Sequence, residues 1–179
     1  LRYAKAQLNQ SEKVRFLDPA IGTGAFYSAL LNVFPKERID AAVGYEIDPY
    51  YGMPAKELWG DTGLDLRLED FTRAEAPTDA GKFDLLICNP PYVRHHHITN
   101  AEKQRLKQRT QAVCGVQIGG LAGLYCYFLG LSYIPMDKHK LDFYAVGAPQ
   151  QHGQRSYKNS IYKYDMEYAY SLGVDTTGL

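Results

Sequence analysis

Four short apolar or alternating stretches in the first half of the chain set its organisation. The strongest, residues 83–88, reads Phe-Asp-Leu-Leu-Ile-Cys and stops abruptly at Asn89. Residues 14–17 and 40–49 have a similar β-type character, and residues 64–68 alternate between apolar and polar positions. Short apolar runs without a helical period are typical of buried strands, and strict alternation is typical of half-exposed strands. The pattern therefore predicts four strands.

Helical patterns separate these strands. We expect helices over residues 27–34 and 51–59, a buried helix over the apolar residues 119–134, and a fifth strand over residues 141–146. Alternating strands and helices predict an α/β, Rossmann-like fold with a mostly parallel sheet and helices on both faces, incomplete at both ends. Right-handed crossovers then bring all the carboxyl ends of the strands to one edge, where ligands bind in such sheets.

The length of 179 residues suits one domain. We divide the chain into an amino-terminal lead-in over residues 1–13, a catalytic and cofactor-binding domain over 14–147, and an unassigned Tyr-rich tail over 148–179. The tail fits a packing edge, a base-stacking platform or a weakly ordered segment equally well. Because the chain begins with leucine, we expect it to be a piece of a longer protein.

Charge and cysteine content exclude several classes of protein. Twenty basic and twenty acidic residues give a formal net charge of zero, so any surface for nucleic acid must be local. The three cysteines, Cys88, Cys114 and Cys126, lack metal-type spacing and fit a reducing compartment. The sequence shows neither a membrane span nor a signal peptide, and we therefore expect a cytoplasmic protein with no membrane partner.

A glycine-rich turn follows the first predicted strand and leads into a helical pattern. The turn reads Asp18-Pro19-Ala20-Ile21-Gly22-Thr23-Gly24-Ala25-Phe26. Glycines permit unusual φ angles and let a ligand approach the backbone, and the following helix presents free N–H groups. Tyr27 stands where a dinucleotide fingerprint has its third glycine, and no Lys-Ser/Thr pair completes a P-loop. The turn predicts a cofactor site and disfavours a phosphate-bearing cofactor.

Polar side chains end the other predicted strands, namely Glu46, Asp70 and Asn89. Glu46 lies roughly 20 residues beyond the glycine turn, where doubly wound folds place an acidic residue that binds ribose hydroxyls. The two prolines after Asn89 remove two backbone donors and fix two φ angles, so that they hold Asn89 on a stiff, extended loop. Taken singly, each residue also fits a solvated strand end. Together with Asp18, they are expected to meet at one edge of the sheet.

These motifs, in this order, resemble those of S-adenosylmethionine-dependent adenine-N6 DNA methyltransferases of restriction-modification systems. The resemblance covers about residues 14–135. It is closest to the amino-methyltransferases whose glycine motif precedes the catalytic motif. It implies transfer of a methyl group from S-adenosylmethionine to the N6 amino group of a flipped-out adenine in DNA. The motifs that carry it are the glycine turn, Gly44-Tyr45-Glu46-Ile47-Asp48, Glu69-Asp70-Phe71 and Asn89-Pro90-Pro91-Tyr92.

The resemblance also implies roles for individual residues. Asp18 and the glycine turn would hold the methionine part of the cofactor, and Glu46 would take the ribose hydroxyls. Asp70 and Phe71 would receive the adenine, since a carboxylate accepts from an amine and a phenyl ring packs on a purine. The expected cofactor-binding residues are Asp18, Pro19, Ala20, Gly22, Gly24, Phe26, Glu46, Ile47, Asp70 and Phe71. The expected catalytic residues are Asn89, Pro90, Pro91 and Tyr92.

The catalytic motif would act by positioning its substrate. The side-chain oxygen of Asn89 and the carbonyl of Pro90 would accept the two amino hydrogens and aim the nitrogen lone pair at the methyl group. Tyr92 would stack on the extruded base. Fixed geometry of this kind is worth on the order of 7–11 kcal/mol, so no strong general base is needed.

The residues after the catalytic motif leave alternatives open. His95–His97 fit a cleft lining or a solvated loop better than a metal site, and we expect no metal. The basic residues at 103–109 fit either a phosphate-facing surface or a solvated helix face with Glu102 as partner, which charge runs usually form.

Two rival functions also remain. The first is a glutamine or RNA amino-methyltransferase of the same fold, because those enzymes are similar at Asn-Pro-Pro-Tyr. The second is a non-catalytic fragment that needs a partner, because the family's large target-recognition region is missing from the chain. The sequence indicates no oligomeric state.

Overall fold

A computed structural model describes residues 1, 5, 12–78, 81–115, 117–132, 142–145 and 162–163 of the chain. Six strands in these residues form a single sheet. In chain order they are β1 (Val14–Asp18), β2 (Ile39–Tyr45), β3 (Leu64–Arg67), β4 (Leu85–Cys88), β5 (Asp142–Ala145) and β6 (Tyr162–Lys163). Across the sheet their order is β3-β2-β1-β4-β5-β6.

The first five strands all run in the same direction. Strand β1 pairs with β2 on one side and with β4 on the other, β2 pairs with β3, and β4 pairs with β5, each in parallel. Only β6 among the described strands is antiparallel to its neighbour. The mostly parallel sheet and the fifth strand predicted from the sequence are thus confirmed. Strand β6 lies in the tail, where we predicted no element.

Helices pack against both faces of this sheet. They are α1 (Ala25–Val33), α2 (Pro49–Trp59), α3 (Asn100–Cys114) and α4 (Leu124–Ser132), and short 3-10 turns span Lys36–Arg38, Phe71–Arg73 and His95–His97. Phe16 of β1 shares one buried cluster with Leu30 of α1, while the next residue, Leu17, shares another with Leu131 of α4. Successive strand residues point to opposite faces, so the two clusters are cores on the two sides of the sheet.

Helix α2 begins two residues before the predicted start at residue 51. Its N-cap is Asp48, whose carboxylate accepts a hydrogen bond from Tyr50 N at 2.9 Å. Pro49 occupies the first helical position, where a missing N–H costs nothing. Asp48 therefore caps a helix and does not end the second strand, and Pro54 lies inside the helix.

Other predicted boundaries were also wrong, and α1 begins at Ala25 and not at residue 27. Strand β4 begins at Leu85 and not at residue 83, because the Asp84 side chain takes over part of the pairing by accepting from Arg15 N at 2.8 Å. Helix α4 begins at Leu124 and not at residue 119. Glycines disfavour a helix, and a Cβ at Gly123 would lie 3.1 Å from the carbonyl oxygen of Val93.

Every helix in the described part of the chain falls short of the length and apolar character that crossing a membrane requires.

Candidate active site

The carboxyl ends of the parallel strands border a cavity of about 780 Å³. Strand β1 ends at Asp18, and Glu46 and Asn89 directly follow β2 and β4. Asp70 follows β3 within three residues. Nine of the residues expected in the site line this cavity: Pro19, Ala20, Gly22, Glu46, Ile47, Asp70, Phe71, Asn89 and Pro91. The structure thus brings most of the expected set together at one edge of the sheet.

Five expected residues do not line the cavity. Asp18 is fully buried, and Pro90, the residue after Asn89 in the loop, is buried as well. The other three are Gly24, Phe26 and Tyr92. Phe26 packs against the core cluster on the α1 side of the sheet. Its side chain therefore supports the glycine turn from behind.

The two glycines of the turn serve different purposes. Gly22 has φ +56°, and a Cβ built on it meets nothing within 4 Å, so this residue leaves space beside the cavity. Gly24 has φ +92°, and its Cβ would lie 2.2 Å from the indole nitrogen of Trp59. That nitrogen donates to Thr23 O at 2.9 Å. Gly24 thus allows α2 to pack against the turn. Its expected role in cofactor binding stays a prediction.

Asp18 is a buried carboxylate with an incomplete set of partners. One of its oxygens accepts from Ala20 N at 3.2 Å, which holds the start of the turn. The other, Oδ2, is buried and has no hydrogen-bond partner in the described structure. Burial raises the pKa of Asp18 to about 8, opposed by the Ala20 hydrogen bond and aided by the charge of Glu46. A cationic or hydrogen-donating ligand group would complete this site.

Glu46 ties the glycine turn to the start of α2. Its Oε2 accepts from Gly22 N at 3.0 Å, and its Oε1 accepts from Asp48 N at 2.8 Å. Each carboxylate oxygen has two acceptor positions, so one position remains on each oxygen. Two adjacent acceptors on one rigid carboxylate suit a vicinal diol.

Asp70 and Phe71 begin the 3-10 turn after β3. Asp70 Oδ1 accepts from Thr72 N at 2.9 Å and from the Thr72 hydroxyl at 2.7 Å. The Phe71 ring is buried between Tyr45 and Phe128, at ring-centroid distances of 5.4 and 5.5 Å. These three rings form an apolar wall of the cavity, which suits the face of a purine.

The loop after β4 is more open. Asn89 is exposed on the cavity rim, and the Tyr92 ring is 45% exposed and lies 6.3 Å from the Tyr125 ring. Leu124 N donates to Val93 O at 2.9 Å, so the start of α4 braces this loop. The loop presents the amide of Asn89 to the cavity and exposes the Tyr92 ring to solvent.

Sequence reasoning missed several lining residues. Ile98, Leu124 and Phe128 look like ordinary core positions in the sequence. Thr99 and Glu102 belong to a helix start, a sequence pattern that does not indicate a cavity. The full set of missed lining residues is Thr23, Tyr45, Asp48, Tyr51, Glu69, Thr72, Val93, Ile98, Thr99, Glu102, Leu124 and Phe128.

The histidine run and the basic helix are also placed by the structure. His97 lines the cavity, which is the first of the two alternatives given for the histidine run, a cleft lining or a solvated loop. No group of three His, Cys, Asp or Glu residues in the described part of the chain could hold a metal ion. In α3, Arg105 pairs with Glu102 and Arg109 donates to Ala74 O. Both arginines therefore contact other groups of the protein. Glu102 is the partner expected under the alternative of a solvated helix face.

Comparison with known proteins agrees with this geometry. Residues 55–143 match the family model described as Eco57I restriction-modification methylase. The chain is 32% identical over 133 residues to the Type II methyltransferase M.AccI of Acinetobacter calcoaceticus, which covers 72% of this chain and 23% of that protein. It spans less than a quarter of the length of the restriction-modification relatives that it matches.

Two further likenesses bear on fold and function. A release factor glutamine methyltransferase from Agrobacterium fabrum is 33% identical over 91 residues, or 50% of this chain and 30% of that protein. A type I restriction-modification methyltransferase subunit from Streptococcus thermophilus superposes with a TM-score of 0.62 at 16% identity, over 81% of this chain and 31% of that one. This likeness shows the Rossmann-like fold of class I methyltransferases. By sequence, the chain is similar to the Eco57I restriction-modification methylases over residues 55–143.

Proposed function

We propose that this chain transfers a methyl group from S-adenosylmethionine to the N6 amino group of an adenine flipped out of DNA, as part of a restriction-modification system. The observation that carries the proposal is the position of Asn89. Its exposed amide lies on the rim of the same cavity that contains Glu46 and Asp70. An acceptor for an amino group thus stands beside acceptors suited to a nucleoside.

The residues of the cavity fit this cofactor. The unpartnered Oδ2 of Asp18 lies under the glycine turn, where the charged methionine end of the cofactor would bind. Glu46 offers the remaining acceptor positions to the ribose hydroxyls, and Phe71 offers an apolar wall to the adenine. When bound, the cofactor would supply an electrophilic methyl group. The protein supplies the orientation.

Asn89 and Pro90 would prepare the attacking nitrogen. The amino lone pair of adenine is delocalised into the ring, which makes N6 a weak nucleophile. Two carbonyl-type acceptors that take both amino hydrogens favour a pyramidal nitrogen with its lone pair directed outward. The stiff Pro-Pro loop holds both acceptors in place, and positioning of this kind lowers the barrier without a strong base. After methyl transfer, the cationic nitrogen would lose one of its protons to solvent water.

Tyr92 would hold the extruded base from the side. Tyr92 is 45% exposed, three residues after Asn89 on the same loop, and its ring lies near the ring of Tyr125. Aromatic rings that stack on a flipped base compensate for part of the lost stacking in the duplex. The expected partner is therefore DNA, with sequence specificity supplied by a separate target-recognition region and the cytoplasm as the place of action.

The test is transfer of labelled methyl groups to a panel of acceptors. DNA duplexes, RNA and release factor would each be offered with labelled cofactor, and the methylated base would be identified after digestion. We expect label in DNA as N6-methyladenine, and none in a duplex whose adenines are replaced by purine without the amino group. Label found as a methylated cytosine would contradict the adenine assignment.

The second candidate is methylation of glutamine in a release factor. It is favoured by the likeness to the glutamine methyltransferase and by the fact that Asn-Pro-Pro-Tyr suits any amide or amino nitrogen conjugated to a π system. Label on release factor alone would establish this candidate and exclude the DNA reading. Cofactor binding without transfer to any acceptor would support the third possibility, a module that needs a partner for target recognition.

A further inference from the structure

An arginine of α3 connects the helix after the catalytic loop to the turn that carries Asp70. The Arg105 guanidinium donates to the Thr72 hydroxyl at 2.7 Å through Nη2 and to Thr72 O at 3.2 Å through Nη1. The same group donates through Nε to Glu102 Oε2 at 2.9 Å. Its side chain is only 24% exposed. One side chain thus fixes two segments that are 33 residues apart in sequence.

The contact continues from Thr72 to Asp70. The Thr72 hydroxyl that accepts from Arg105 donates in turn to Asp70 Oδ1 at 2.7 Å. Thr72 N donates to the same oxygen, and Arg73 Nε donates to Oδ2 at 3.2 Å. Thr72 is buried at 2% exposure. Arg105 therefore sets the direction of the threonine O–H, and the threonine sets the rotamer of the carboxylate.

This arrangement leaves one acceptor position on Asp70. A carboxylate accepts at about four positions, two on each oxygen. Donors in the described part of the chain take both positions of Oδ1 and one of Oδ2. Arg105 Nη2 lies 3.8 Å from Oδ2, which is too far for a hydrogen bond. The remaining position on Oδ2 belongs to a residue that lines the cavity.

Glu102 keeps the arginine in place. Besides Arg105, its carboxylate contacts Arg73 Nη2 at 3.2 Å, so two arginines and two carboxylates alternate along this wall. The hydrogen bond from Arg105 lowers the pKa of Glu102 against the opposing effect of its partial burial, with further lowering by the charges of both arginines. The pair therefore stays charged at neutral pH, and Arg105 has little freedom to turn away.

We propose that Arg105 is a positioning residue that, through Thr72, directs the last free acceptor position of Asp70 toward the amino group of the cofactor's adenine. The proposal rests on the proposed function, because it takes S-adenosylmethionine as the ligand of this cavity. It assigns to Arg105 a role in recognising one group of that ligand. A residue that merely stabilised the fold would weaken binding of every ligand alike.

The test compares two ligands that differ at that amino group. S-adenosylhomocysteine carries it, and S-inosylhomocysteine has an oxygen in its place, which an acceptor repels. Dissociation constants of both are measured by calorimetry for the unsubstituted chain and for Arg105→Gln, Arg105→Lys and Thr72→Val. Lys107→Gln, on the same helix but outside this set of contacts, is the matched control. Thermal melting confirms that each variant is folded.

We expect the unsubstituted chain and the control to prefer the adenosyl ligand, and Arg105→Gln to lose roughly tenfold of that preference. Arg105→Lys keeps the positive charge without the planar set of guanidinium donors, and it is expected to lose part of the preference for the adenosyl ligand. Thr72→Val removes the hydroxyl that links Arg105 to Asp70, so its loss of preference should match that of Arg105→Gln. If Arg105→Gln fails to fold, the result for Thr72→Val decides whether the proposal holds. Equal weakening of both ligands in the folded variants, or no change in preference, would overturn the proposal.

The outcome for the unsubstituted chain separates this proposal from the proposed function. If that chain binds neither ligand, the proposed function fails and the role of Arg105 fails with it. If that chain binds the adenosyl ligand and prefers it, the proposed cofactor site stands whatever the variants show. Only the variants then decide the role of Arg105.

Discussion

The two halves of the cavity are built differently. In the half that is proposed to bind the cofactor, Glu46 and Asp70 are held by donors from their own neighbourhood, and Asp18 is buried. In the half proposed to bind the acceptor, Asn89 and Tyr92 are exposed on a loop stiffened by proline. The first half is organised before a ligand arrives, and the second offers its groups to a molecule that comes from outside.

The difference follows from what each half has to bind. A small, polar cofactor needs several acceptors in fixed directions, and preorganised acceptors reduce the cost of binding it. A base that leaves a duplex needs a rigid edge and an aromatic face, because its own stacking is lost. Substitutions in the acceptor half should therefore change the rate of transfer, whereas those in the cofactor half should change affinity or stability.

The largest effect is expected at Asn89. Asn89→Ala removes the proposed acceptor for one amino hydrogen, and the rate of methyl transfer at saturating substrates should fall by about 10²-fold or more, as when other preorganised groups at a reacting centre are removed. The dissociation constant of the cofactor should stay within about twofold, since a twofold change corresponds to only a few tenths of a kcal/mol.

Single-turnover transfer and calorimetry measure these two quantities. Asn100→Ala, at the exposed first position of α3, is the matched control and should change neither of them. Loss of cofactor binding with the transfer rate retained would reverse the assignment of the two halves.

A smaller effect is expected at Glu46, and it should fall on cofactor affinity more than on the transfer rate. In Glu46→Gln, one of the two backbone donors, Gly22 N or Asp48 N, would face the amide nitrogen where it now meets an oxygen. The acceptors for the ribose hydroxyls are reduced as well. Affinity for S-adenosylhomocysteine should drop roughly tenfold or more, while the transfer rate at saturating cofactor changes less.

Calorimetry and a titration of the rate with cofactor separate the two parameters for this variant. Glu37→Gln, at an exposed position before β2, serves as the control. A variant with unchanged affinity and a slowed transfer rate would place Glu46 in the acceptor half.

The sequence predicted the features that depend on neighbours along the chain. The strand runs, the glycine turn and the polar strand ends are local patterns. A parallel sheet then places the ends of neighbouring strands at one edge, so the meeting of Glu46, Asp70 and Asn89 followed from order alone. The roles assigned to the individual site residues are predictions still.

Features that depend on distant contacts were not predictable in the same way. Arg105 belongs to a basic run whose pattern suits water or phosphate, and only the fold shows that it donates to Thr72. Gly24 fits a ligand-binding turn in the sequence, whereas its neighbour in space is Trp59. The start of α4 at Leu124 depends on distant groups too, because Leu124 N donates to Val93 O and a Cβ at Gly123 would crowd the same oxygen. The tail outside Tyr162–Lys163, including most of its tyrosines, lies outside the described residues.

The last predicted effect concerns Asp18 and is on stability, not on binding or transfer. Because its pKa is raised from 3.8 to about 8 in the folded chain, the folded state holds a proton that the unfolded state has lost between these values. The contribution of this proton to the free energy of unfolding is full below about pH 4. It declines as pH rises toward 8, by at most about 1.4 kcal/mol per pH unit. Asp18→Asn keeps an oxygen for Ala20 N and removes this titration.

Urea unfolding at pH 5, 6 and 7 tests this prediction. The difference in unfolding free energy between Asp18→Asn and the unsubstituted chain should shift in favour of the variant by about 2–3 kcal/mol from pH 5 to 7. Asp61→Asn, at an exposed position, should show no such trend. A difference that stays constant with pH would mean that Asp18 is charged in the folded chain. It would then be a charged carboxylate like those proposed for Glu46 and Asp70, but its buried Oδ2 has no hydrogen-bond partner in the described structure, so the need for a cationic or hydrogen-donating ligand group would be greater still.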